Sequence, residues 1–87
     1  MISIEDCIGL TGLTREEIDA IAEHEHIPEA AAAALAGYLM STTEGPAAVR
    51  TMIRDDIRAA LAAGKREHAA ELLAALRHFL AEHPTEP

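Results

Sequence analysis

Alanine fills nineteen of the 87 positions while valine appears once, and that imbalance leaves the chain one kind of secondary structure to build with. Alanine is the strongest helix former and a poor strand residue, so the expected class is all-α. Its apolar half is correspondingly small-grained, with Tyr38 and Phe79 the only aromatic residues and no tryptophan. Apolar residues make up 49% and charged residues 25%, a globular balance that excludes wholesale disorder. The length suits one small domain that buries roughly 60% of its unfolded surface. We assign residues 1–83 to it and read 84–87 as a frayed tail.

Local signals divide the chain into helices. Ser3 and Asp6 open a first one with Ile4, Cys7 and Ile8 on one side, and Gly9 and Gly12 are expected to break it. Thr14-Arg-Glu-Glu17 is a capping box, flanked by Leu13 and Ile18 at the positions of a hydrophobic staple. The second helix ends near His26, because Ile27 precedes Pro28 and is pushed out of the helical region. Pro28 suits the first turn of a third helix, which reaches about Thr42 before the connection Ser41–Gly45. A fourth opens near Pro46 and runs to Ala63, with Gly64 as a left-handed terminator. A fifth runs from Lys65 to about His83 and is stopped by Pro84. The predicted fold is therefore a compact bundle of four to five short helices, approximately 3–10, 14–26, 28–42, 46–63 and 65–83.

Helical wheels at about 100° per residue give the buried faces. The fifth helix shows a stripe of Ala69, Leu72, Leu73, Leu76, Phe79 and Leu80, with His83 on it and His78 opposite, exposed. The fourth presents Val49, Met52, Ile53, Ile57 and Ala60, and Asp56 falls in the middle of that face. A buried carboxylate is costly unless paired. Asp56 is therefore expected to accept hydrogen bonds from a helix N-terminus, the Tyr38 hydroxyl or an arginine; the functional alternative is a ligand or acid/base group. The third helix is apolar nearly all round. Ala31, Leu35, Tyr38 and Leu39 make its larger face, and Ala30, Ala33, Ala34 and Gly37 a flat second one. Such a helix is either central or uses its small face for oligomer contact.

The formal charge of −8 lies wholly in the first half. Residues 1–44 carry nine acids and one base, Arg15, while residues 45–87 carry six of each. That field disfavours nucleic acid and favours a basic protein surface. It also serves simply to keep a small alanine-rich domain in solution. The candidate partner-binding residues are Glu16, Asp19 and Glu23 together with the Ala30, Ala33, Ala34 and Gly37 face, the latter also suiting a homo-oligomer.

Chemistry-bearing motifs are sparse. Glu23-x-x-His26 and His68-x-x-Glu71 are His/carboxylate pairs at helical spacing, and Glu23, His26, His68 and Glu71 are the candidate ligands for zinc or iron. Lys65 stands where a di-iron pattern needs a second glutamate, and two further inward glutamates are missing, so such a site would form between subunits. The alternative is that these pairs are solvated polar faces. There is no His-Glu-x-x-His, no cysteine pair and no glycine-rich phosphate loop. Cys7 sits beside Glu5 and Asp6, which oppose a thiolate, so it reads as a small packed side chain. No run approaches the ~20 apolar residues of a membrane span. The acidic first residues predict no secretory signal, and a lone cysteine fits a cytoplasmic location. The expected function is a non-enzymatic protein-interaction or regulatory module without a cofactor. The alternative is a metal-binding helical protein.

Overall fold

The computed structural model describes residues 3–84, and every regular element among them is a helix. These are α1 (Ile4–Thr11), α2 (Arg15–Glu25), α3 (Glu29–Met40), α4 (Gly45–Ala62) and α5 (Arg66–Glu82). The expected all-α bundle is the observed one, with five helices. The proposed frayed tail falls mostly on residues 85–87, outside the described residues.

Local chemistry accounts for each boundary. The Ser3 hydroxyl accepts from the Asp6 N–H at 3.1 Å, and the Asp6 carboxylate accepts from the Ser3 N–H at 3.3 Å. This second capping box starts α1. Gly9 does not break α1; the helix runs through it to Gly12, which turns left-handed at φ +76°. One interior glycine costs only about 1 kcal/mol, too little to end a well-capped helix. Thr14 and Glu17 exchange the two bonds of the α2 box at 3.2 and 2.8 Å. Leu13 and Ile18, the staple around it, are both buried. His26 ends α2 at φ +57°, and the Ile27 N–H returns to the Ala22 carbonyl at 3.1 Å.

Pro28 caps α3 from just outside rather than lying in its first turn. Pro46 does lie in the first turn of α4, and Gly64, at φ +74°, separates α4 from α5. There the Lys65 N–H closes onto the Ala60 carbonyl at 2.8 Å. Gly45 is required for another reason. A Cβ at this buried position would lie 1.5 Å from the Leu39 carbonyl oxygen, so the α3–α4 turn closes only over a bare Cα.

Ile18, Ile21, Val49, Ile53 and Phe79 form the fully buried centre. α4 packs mainly on α5, α2 packs on both, and α3 packs on α1, α2 and α4. The small-residue helix is thus central. Its buried residues are Ala32, Ala33 and Ala36; of the expected face, Leu35 and Leu39 pack half-buried against the core while Ala31 and Tyr38 are exposed. A helix apolar all round carries no directional signal, and three flanking helices approach closely only where side chains are smallest. On α5 the buried arc takes in Ala75 while Leu73 is exposed, a shift from the expected stripe that lets both α2 and α4 contact it.

Candidate functional site

Two surfaces carry the unusual side chains, one polar and one apolar. The polar one is the seam where α2 meets α4 and α5. Glu17, only 1% exposed, turns its second carboxylate oxygen, Oε2, to His78 Nδ1 at 3.0 Å. One turn and a half further along α2, Glu23 Oε1 meets His68 Nε2 at 2.5 Å, and Glu71 approaches the other ring nitrogen at 3.7 Å. His24 lies 2.9 Å from Glu25 and reaches Asp55 on α4 at 3.3 Å. All three histidines are raised above their ordinary range: His78 by Glu17, His68 by Glu23, and His24 chiefly by Glu25 with Asp55 adding. Beneath them Asp56 is 5% exposed, and its buried Oδ2 has no hydrogen-bond partner among the described residues. Burial, then the negative charge of Glu23, pushes Asp56 up to about 6. None of the partners expected for it is found; Tyr38 is 67% exposed instead.

At the start of α2, the Arg15 guanidinium takes Glu29 bidentately, at 3.0 and 2.8 Å. That contact lowers Glu29 to about 2. Asp19, partly desolvated beside the Glu29 carboxylate, is raised to about 6. The only base of the first half is therefore already engaged.

Of the candidate metal ligands, the fold brings together Glu23, His68 and Glu71 across α2 and α5. His26 is left outside, exposed at the left-handed end of α2. The three line up as successive polar contacts around one imidazole. Among the described residues, no three His, Cys, Asp or Glu side chains are grouped so as to hold a metal ion.

The candidate partner-binding set is divided. Glu16, Asp19 and Glu23 line a cleft of about 130 Å³ between α2 and α5. Ala30, Ala33, Ala34 and Gly37 instead floor a separate groove of about 250 Å³ between α3 and α1, walled by Cys7, Leu10, Thr11 and Tyr38. Leu10 is 82% exposed, a large apolar side chain left in water beside the exposed Tyr38 ring. Scattered single apolar residues are ordinary on a surface, but clustered ones along a groove mark contact sites. Leu10 lies inside the first helix expected from the sequence, 3–10, but outside the side that holds Ile4, Cys7 and Ile8. Its position three residues after Cys7 was the available signal.

Fold and surfaces together define an all-α five-helix bundle with an acidic first half, an apolar α1–α3 groove and a histidine–carboxylate seam. Comparison with protein-family models, with curated proteins and with solved structures finds no match. No helix among the described residues is long and apolar enough to cross a membrane.

Proposed function

We propose that the chain is a non-enzymatic protein-interaction or regulatory module whose contact surface is the α1–α3 groove, and whose partner presents a basic surface. The exposure of Leu10 and Tyr38 on either side of a small-residue floor carries this reading. Removing such a groove from water stabilises a complex by roughly 25 cal/mol per Å² of apolar area. The excess of acid in residues 1–44 supplies direction, steering a cationic partner to the half of the chain that holds both groove walls.

The test is native mass spectrometry of the protein purified from its own host without chelator, beside a Leu10→Asp variant. The expected result is a stoichiometric basic protein retained by the parent and lost from the variant and at high salt. An identical set of retained species for both chains would overturn the reading. The second reading, a metal-binding helical protein, draws on the convergence of Glu23, His68 and Glu71. It would appear in the same spectra as bound zinc or iron that is lost on His68→Ala.

A further inference from the structure

We propose that the occupant of the α1–α3 groove is two turns of an amphipathic helix from a partner protein, with lysine or arginine beside its apolar stripe; this rests on the docking reading above. The lining residues Ala30, Ala33, Ala34 and Gly37 recur at i, i+3, i+4 and i+7, a track along α3 about 10 Å long, close to two turns of helix. Ala30 and Ala34 are exposed along it, while Ala33 is buried and Gly37 faces Thr11 of α1. At the exposed Ala30 and Ala34 the side chains are small enough for a visiting helix to approach closely, so the large apolar residues must come from the visitor. Leu10 and Tyr38 then close over its flanks.

Backbone chemistry selects a helix over an extended peptide. A strand needs an edge of free N–H and C=O groups to pair with. Both walls of this groove are α-helices, whose central backbone groups are already bonded within the helix. A visiting helix brings its own backbone satisfied.

Charge selects the partner's flanks. Asp6 sits one turn before Leu10 along α1, and Glu44 lines the surface depression on the far side of Tyr38. Arg15, the sole base of this half, is held by Glu29. A second copy of the chain would set two acidic halves against each other, whereas cationic flanks are complementary.

The probe is a designed four-turn Leu/Lys helix added to the ¹⁵N-labelled full chain, with two controls: the same residues scrambled to abolish the stripe, and a Leu/Glu counterpart. The expected shifts fall on Leu10, Thr11, Ala34, Gly37 and Tyr38, and alkylation of Cys7 slows several-fold as the groove is covered. Affinity should fall about tenfold in Ala34→Leu, which fills the floor, and in Leu10→Asp, with folding of each checked by circular dichroism. It should also fall several-fold as salt rises from about 0.05 to about 0.5 M. Equal binding of the scrambled peptide overturns the helical occupant, and equal binding of the Leu/Glu peptide overturns the cationic one. A groove silent to all peptides in a parent that dimerises, with a monomeric Leu10→Asp, replaces the occupant by a second copy and leaves the docking reading standing. A silent groove in a monomeric parent removes both.

Discussion

Glu17 and His78, sixty-one residues apart, meet with Nδ1 3.0 Å from Oε2, while Oε1 of the same carboxylate holds the Thr14 N–H at 2.8 Å. The cap of α2 is thereby tied to α5, and a fully buried carboxylate has both oxygens occupied. His78→Ala should leave the Oε2 acceptor unmatched. Glu17→Ala should lose the cap as well, a destabilisation of about 1–3 kcal/mol. Urea denaturation of both single variants and the double variant is expected to give a clearly non-additive cycle. Additive losses would mean the two side chains act independently.

Stability should rise as pH is lowered from 8 toward 5. The three histidines are raised in the folded state, so their contribution is complete below the unfolded value near 6.5 and is lost as pH climbs through the folded values. Asp56 and Asp19, raised to about 6, act in the same direction, since their protonated forms favour the fold over the range from 3.8 to about 6. Glu29 opposes this at the acid end, where its contribution disappears as pH falls from 4.5 to about 2. An optimum at about pH 4, where the two opposing contributions balance, is therefore expected. Thermal melts across this range check it; a midpoint independent of pH between 5 and 8 would contradict the assignment.

Asp56 accepts no hydrogen bond through its buried Oδ2, so removing it strands no donor. Asp56→Leu should therefore stabilise the fold by about 1–2 kcal/mol at pH 8, where the native carboxylate is charged. The gain should shrink toward pH 5. Parallel denaturation curves at the two pH values decide this, and a variant less stable than the parent at pH 8 would reveal a partner for the carboxylate.

Two glycines should respond oppositely to alanine. Gly45→Ala puts a methyl group into the Leu39 carbonyl and forces the α3–α4 turn open, at a cost of about 2–4 kcal/mol. At Gly9, inside α1, an added Cβ meets nothing within 4 Å. Gly9→Ala should stabilise by about 0.5–1 kcal/mol through helix propensity alone. Thermal midpoints moving in opposite directions are the expected readout.

The residues that end and begin helices were legible in the sequence because caps and turns are satisfied within about five residues of chain. Thr14 with Glu17, Pro46 and Gly64 stand where they were read, and the buried α4 face of Val49, Ile53 and Ala60, with Asp56 among them, followed from its 3.6-residue period. Gly9 alone does not stop α1, because the capping box before it outweighs one interior glycine, and Gly12 ends the helix. Tertiary structure alone decided which side of α3 is buried, since a helix apolar all round has no preferred direction until its neighbours choose one. It also decided which histidine meets which carboxylate. Glu17 with His78 and Glu23 with His68 are contacts between helices far apart in the chain, and no spacing along one helix encodes them. For the same reason the acids of α2 and the small residues of α3, adjacent in sequence, came to lie on separate surfaces. Helix periodicity orders side chains around one axis, and only packing orders the axes.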